Sequence, residues 1–132
     1  MIIVIDANAA LEIGLNRSLG DDYKKKLIKS DLVIVPDIYP AEITNALWKY
    51  ATILNQDVSE CEKILDLCLN LADDIVTTRD FCREALFEAV RFKHPAYDLF
   101  YLVLARRNGA SILSRDKKLI KIAKEMGVDV LK

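Results

Sequence analysis

Short apolar runs rich in β-branched residues alternate along this chain with longer segments of helical periodicity. The runs predicted as strands cover residues 2–5, 32–35, 75–77, 112–113 and 128–131. The second run is apolar throughout, as in a strand buried on both faces. Strands separated by helices form βαβ units with right-handed crossovers. The sequence therefore predicts an α/β fold, a three-layer α/β/α sandwich around a central, mainly parallel sheet of four to five strands.

The segments between these runs are predicted as helices. Pro40 suits the first turn of one helix, and Ser59 with Glu62 forms a capping box that opens the next, which runs to about residue 71. The helix at 97–107 is apolar nearly all round, which predicts a central position. With 132 residues and no linker or internal repeat, we expect a single domain over residues 1–132.

Four acidic residues lie where this arrangement predicts one edge of the sheet. Asp6 and Asp116 follow strand runs, Glu42 lies one turn into a helix, and Asp98 opens the long apolar helix. The carboxyl ends of parallel strands share one edge, and ligands bind there. Carboxylates gathered at that edge would repel one another without a cation, so at least one of them should have a raised pKa. The pattern predicts a Mg²⁺ or Mn²⁺ site suited to phosphodiester chemistry.

Each aspartate also has a simpler interpretation, because Asp is a preferred N-cap and Asp6, Asp98 and Asp116 all precede helices. Glu42 is different. It lies inside its helix, and no Lys or Arg stands three or four residues away. Asp6 and Asp98 also lack cationic neighbours in sequence. Since buried charges are paired or bind metal, the joint occurrence favours a metal site over separate caps.

Two polar residues near these acids have open roles. Asn8, two residues beyond Asp6, either orients a carboxylate or a metal-bound water or forms a local Asx cap. His94 is the only histidine and precedes Pro95 in a predicted loop. We expect His94 to be solvated, because a lone histidine in a loop is more often solvated than catalytic. The chemistry predicted here does not need it, since a metal lowers the pKa of its own water.

The basic residues beside Asp116 are candidates to hold a phosphate backbone; they are Arg115, Lys117 and Lys118. The alternative is that they only keep the surface soluble. The net charge is −1, from 19 Lys and Arg against 20 Asp and Glu. A nucleic-acid binder with this balance must concentrate its cations locally or use bound metal.

Several function classes are disfavoured by what the sequence lacks. No P-loop, G-x-S-x-G or G-x-G-x-x-G motif is present, which weighs against NTP hydrolysis, acyl transfer and dinucleotide chemistry. The three cysteines contain no C-x-x-C pair, so we expect no disulfide framework and buried thiols at Cys61 and Cys68. No apolar run reaches about 18 residues, and no leader pattern opens the chain. We therefore expect no membrane partner and a location in the cytoplasm.

The four acids lie in four sequence blocks, VIDANAAL at 4–11, PAEITNAL at 40–47, YDLFYLVLA at 97–105 and ILSRDKKL at 112–119. In order and spacing, these blocks resemble the PIN-domain family, and most of all its small prokaryotic VapC-type toxins. The resemblance covers essentially the whole chain. The family's acidic quartet falls on Asp6, Glu42, Asp98 and Asp116. Asn8 matches a position where the family often has Ser, Thr or Asn, whereas Leu99 is larger than the small residue common after the third acid.

The resemblance implies a metal-dependent endoribonuclease that hydrolyses phosphodiester bonds of single-stranded RNA, with one or two Mg²⁺ or Mn²⁺ ions on the quartet. It also implies a homodimer and a cognate antitoxin that covers the site. A catalytically silent PIN-fold binding or scaffold module is the alternative. A phosphoaspartyl phosphatase or receiver domain is a further one, but Asp6-Ala7-Asn8 lacks the second Asp of D-x-D, and no adjacent acidic pair follows the first strand.

Overall fold

A parallel four-stranded sheet forms the centre of the computed structural model, which describes residues 1–131. In the order β3-β2-β1-β4, its strands are β1 (Ile2–Ile5), β2 (Leu32–Pro36), β3 (Asp74–Val76) and β4 (Ser111–Leu113). The fifth predicted strand is reduced to one parallel bridge, between Ile112 and Val130, beside β4. The predicted sheet is therefore confirmed.

Seven α-helices within residues 1–131 complete the three-layer α/β sandwich, as predicted. They are α1 (Ala7–Gly14), α2 (Gly20–Lys29), α3 (Tyr39–Ile53), α4 (Val58–Asn70), α5 (Cys82–Phe92), α6 (Ala96–Arg107) and α7 (Lys117–Glu125). A short 3₁₀-helix, Thr78–Asp80, precedes α5. Within the described chain, no helix is long and apolar enough to cross a membrane.

Strand β1 and helix α6 are both part of the buried core. Ile3, Val4 and Ile5 of β1 are fully buried, and so are Leu99 and Leu102 of α6. Burial of each such side chain contributes about 1.5–3 kcal/mol. Helix α6 packs on β1, β2 and β4 and on α5, so the central position expected from its apolar sequence is confirmed.

Helix α4 begins earlier than the sequence indicates. Asp57 is its N-cap, with an extended backbone (φ −63°, ψ 128°) and a side chain that accepts a hydrogen bond from the Ser59 N–H at 3.0 Å. Ser59 is already inside the first turn, so the predicted capping box with Glu62 was wrong. The helix packs closely on α1 at Gly14, where a Cβ atom would lie 2.8 Å from the Cys68 Sγ. Cys61 and Cys68 are free and buried, as expected.

Candidate active site

The strand order creates a crevice at the carboxyl end of β1. The chain passes from β1 to β2 and β3 on one side, then crosses back so that β4 pairs with the other edge of β1. The loops that leave β1 and β4 therefore diverge, and open α/β sheets bind ligands at such a switch point. Asp6 lies in this crevice, and its backbone N–H donates to the Leu113 carbonyl oxygen at 3.2 Å.

Asp6 is a buried carboxylic acid with only neutral donors. It is the N-cap of α1, where its Oδ1 accepts a hydrogen bond from the Ala9 N–H at 2.8 Å. Its Oδ2 accepts a hydrogen bond from the Ser114 hydroxyl. Burial raises the pKa of Asp6 to about 7; the two hydrogen bonds lower this pKa, and the charges of Asp98 and Asp116 raise it. The expected raised pKa is confirmed, but lost hydration outweighs like-charge repulsion as its cause.

Glu42 lies in the first turn of α3 and is half-buried. Tyr101 of α6 donates its phenolic hydrogen to the Glu42 Oε1 at 2.5 Å. Burial raises the pKa of Glu42, the Tyr101 hydrogen bond lowers it, and the charge of Asp98 raises it. Burial and the nearby Glu42 raise the pKa of Tyr101 as well, so its hydroxyl remains a neutral donor. No local pattern predicts this pair, because it joins residues 59 positions apart.

Asp98 has a partner that the sequence interpretation missed. The His94 Nε2 lies 2.6 Å from the Asp98 Oδ2, and the imidazole side chain is only 16% exposed. Lys93 adopts a left-handed backbone (φ 52°), and the His94 N–H donates to the Ala89 carbonyl oxygen. These features turn the ring towards α6, so the expectation of a solvated His94 was wrong. The spacing of four residues was the signal available in the sequence.

Asp116 is directed towards its own helix. Its Oδ1 accepts hydrogen bonds from the Lys118 N–H at 2.9 Å and the Leu119 N–H at 3.3 Å, as an N-cap of α7. Arg115 pairs with the buried carboxylate of Glu12. Lys117 and Lys118 are exposed on the first turn of α7.

A groove of about 520 Å³ opens at the carboxylates. Asp6, Glu42, Asp98 and Asn8 line one end of it, together with Tyr101. The structure thus brings three of the four predicted acids and Asn8 into one groove. Among residues 1–131, Asp116 is not part of the lining, nor are Arg115, Lys117 and Lys118.

The donor chemistry of this groove fits a hard divalent cation. Mg²⁺ and Mn²⁺ prefer carboxylate oxygens, and a hydrogen-bonded carboxylate oxygen keeps a further lone pair. Within residues 1–131, however, no group of three or more His, Cys, Asp or Glu side chains is arranged to hold a metal ion. Each acid contacts a protein donor instead, namely Ser114 for Asp6, Tyr101 for Glu42, His94 for Asp98 and the α7 backbone for Asp116.

Several solved structures share this fold. PAE2754 from Pyrobaculum aerophilum is 22% identical, with a TM-score of 0.78 over 98% of this chain and 83% of that one. In the structure of VapBC2 from Rickettsia felis bound to a DNA fragment from its promoter, the matched chain is 16% identical. The TM-score is 0.72 over 99% of this chain and 98% of that one. SSO1118, a PilT N-terminus domain protein from Sulfolobus solfataricus P2, is 18% identical, with a TM-score of 0.51 over 99% and 86%.

Sequence comparison gives a more specific result. No curated protein sequence matches the chain significantly. The family model of the PIN domain matches residues 3–125, which include all four acids. The chain belongs to the PIN-domain family, whose members are generally nucleases.

Proposed function

We propose that this protein is a Mg²⁺- or Mn²⁺-dependent endoribonuclease that cuts single-stranded RNA. The observation that carries the proposal is the convergence of Asp6, Glu42 and Asp98 in one groove with no Lys or Arg side chain of the described residues paired to them. Within residues 1–131, no Lys or Arg nitrogen lies within 4.0 Å of these carboxylate oxygens. A divalent cation is the partner that such a group of acids lacks.

Asp6, Glu42 and Asp98 would hold one or two ions, with Asp116 as the fourth acid. A bound ion polarises the phosphoryl oxygen and lowers the pKa of a water nucleophile. The remaining contributions come from the chain. Ser114, Tyr101 and His94 fix the orientation of the three groove carboxylates, as outer-shell partners do in metal sites. Asn8 lines the same groove as Asp6 and would orient a water or a phosphate oxygen.

The test is an RNA digest with Mg²⁺, Mn²⁺ or EDTA that compares the wild type, Asp6→Asn and Asp98→Asn. The matched control is Asp66→Asn, because Asp66 is exposed on α4. We expect products with 5′-phosphate and 3′-hydroxyl ends, no cleavage in EDTA, and at least about a 100-fold loss in both site variants. If Asp6→Asn cuts as fast as Asp66→Asn, the proposal fails.

We further propose that the protein is the toxin of a toxin–antitoxin pair and acts on RNA in the cytoplasm. The family membership and the fold shared with VapBC2 support this role. Expression of the wild type should stop growth, whereas Asp6→Asn should be tolerated. Co-expression of a small protein encoded directly upstream should restore growth and copurify with the chain. Equal toxicity of both forms would contradict the role.

We also propose a homodimer. Helix α5 leaves three neighbouring apolar side chains exposed, Leu86, Phe87 and Val90, with Phe87 71% exposed. A second copy presents the same face, and a two-fold interface is self-complementary. Light scattering should give a dimer mass for the wild type and a monomer mass for Phe87→Glu. A monomeric wild type would contradict the assembly.

A catalytically silent binding module is the second candidate. It is favoured by one observation, the use of the Asp116 carboxylate as a cap for α7. Titration calorimetry with Mn²⁺ would distinguish the two. Stoichiometric binding without cleavage of any RNA would support the silent module.

A further inference from the structure

The groove continues beyond the carboxylates along α3. The residues of α3 that line the groove are spaced three or four positions apart, so they lie on a single face of the helix. They are Glu42, Asn45, Ala46, Lys49, Tyr50, Ile53 and Leu54. Leu54 lies twelve positions after Glu42, which corresponds to about 18 Å of helix. The groove is therefore much longer than the carboxylate site that opens it.

Lys49 supplies an unneutralised positive charge to this extension. It is exposed on α3, seven positions after Glu42, or about 10 Å along the helix. Lys26 pairs with Asp22 and Lys63 with Glu60. In contrast, no carboxylate within residues 1–131 lies within 4.0 Å of the Lys49 Nζ.

Arg17 brings a second cation from the opposite wall. Its guanidinium lies over the Tyr50 ring, 5.5 Å from the ring centroid, and 3.7 Å from the Glu12 carboxylate. That same carboxylate pairs with Arg115. One negative charge faces two guanidinium groups, so the cluster retains a positive charge beside the groove.

The groove therefore has an acidic end and a basic end, with an aromatic ring at the basic end. A strand of nucleic acid carries evenly spaced phosphates and bases with π faces, and single-strand binders combine cations with aromatic side chains. The bases of a duplex are stacked inside the helix and cannot reach such a ring. This arrangement favours a single strand.

We propose that the α3 face from Asn45 to Tyr50, together with Arg17, binds the backbone and a base of single-stranded RNA next to the bond that is cut. Lys49 and Arg17 contact phosphates, and Tyr50 stacks on a base. This inference rests on the proposed nuclease function and identifies the residues that hold the substrate away from the reacting bond.

The experiment measures binding separately from cleavage. Asp6→Asn is combined with Lys49→Gln, and the anisotropy of a labelled 12-nucleotide single-stranded RNA is followed at several salt concentrations. Loss of one phosphate contact should reduce the slope of log K against log salt by about 0.7 and weaken binding about fivefold or more. The matched control is Lys25→Gln, because Lys25 is exposed on α2 and does not line the groove.

A second variant separates stacking from charge. Tyr50→Leu should weaken binding by about fivefold or more and leave the salt slope unchanged. In the active protein, Lys49→Gln should raise KM with little change in kcat, because the residue does not contact the reacting bond.

The outcomes distinguish the two proposals. If the protein cuts RNA but Lys49→Gln changes neither the salt slope of binding nor KM, the proposed RNA-binding face of α3 is wrong and the nuclease proposal stands. If Lys49→Gln reduces the salt slope of RNA binding but the protein cuts no RNA with any metal, the RNA-binding face is supported and the nuclease proposal is wrong. If Lys49→Gln binds RNA normally but no longer binds the upstream-encoded protein, the groove is a protein-binding site and the proposed RNA-binding face is wrong.

Discussion

Two buried acids near the start of the chain, Glu12 and Asp6, have opposite surroundings. Their exposed fractions are 2% and 4%. Two guanidinium groups contact Glu12, whereas a hydroxyl and a backbone N–H contact Asp6. Glu12 is neutralised by the fold itself, and we interpret it as a tie between α1 and the loop after β4. Asp6 is left without a charge partner, as a cation-binding acid requires.

The same short loop serves both acids. Ser114 donates to Asp6, Arg115 pairs with Glu12, and Asp116 caps α7. Burial of an acid therefore does not by itself indicate function. The kind of partner separates a structural carboxylate from a candidate ligand.

Among the substitutions, removing the charge of Glu12 should cause the largest loss of stability. Glu12→Gln leaves two arginines without their common carboxylate, and because their side chains are 40% and 46% exposed, we expect a loss of about 1.5–3 kcal/mol. Urea unfolding should show this loss, while RNA cleavage per folded molecule should change far less than in Asp6→Asn. Unchanged stability together with lost cleavage would mean that Glu12 takes part in the reaction, and the contrast between Glu12 and Asp6 would not hold.

Removing the charge of Asp6 should instead increase the stability of the fold at neutral pH. Its pKa rises from 3.8 in the unfolded chain to about 7 in the folded protein, so the fold loses stability as pH rises from about 4 to about 7. At 1.36 kcal/mol per pKa unit, the loss is at most about 4 kcal/mol. Thermal unfolding in EDTA should show this loss for the wild type and not for Asp6→Asn. Parallel pH profiles would contradict the raised pKa.

Metal should stabilise the wild type, since a ligand that binds only the folded state adds about 2.7 kcal/mol at one hundred times its Kd. At pH 8, where Asp6 is ionised, Mn²⁺ should raise the Tm by up to about 10 °C for a chain of this length. Glu12→Gln should keep this shift, and Asp6→Asn should lose most of it. An equal shift in both variants would place the cation elsewhere.

The smallest effect is expected at Tyr101. Tyr101→Phe removes one hydrogen bond to Glu42 and should cost about 1 kcal/mol of stability. If Tyr101 orients Glu42 for metal, cleavage at low Mg²⁺ should fall about tenfold and recover at high Mg²⁺. A defect that persists at saturating Mg²⁺ would assign Tyr101 another role.

Local patterns were sufficient to predict the sheet and the grouping of Asp6, Glu42 and Asp98, because β-branched runs and helix periods depend on near neighbours. Asp116 was expected in the same group, but it caps α7 and does not line the groove. The partners of the acids were harder to predict. Glu42 meets Tyr101 across 59 positions, a contact made only by packing. His94 lies four residues from Asp98, so this partner could have been predicted from the spacing. Lys49, on the same helix face as Glu42, could also have been found from helical spacing.

The pairing of β1 with β4 has a consequence for synthesis. Asp6 is placed by a backbone bond to Leu113 and by the hydroxyl of Ser114, 108 positions later. A nascent chain that has not yet emerged beyond Ser114 cannot complete this arrangement. The crevice is therefore complete only after the residues up to Ser114 have left the ribosome, so any activity that depends on Asp6 begins late in synthesis.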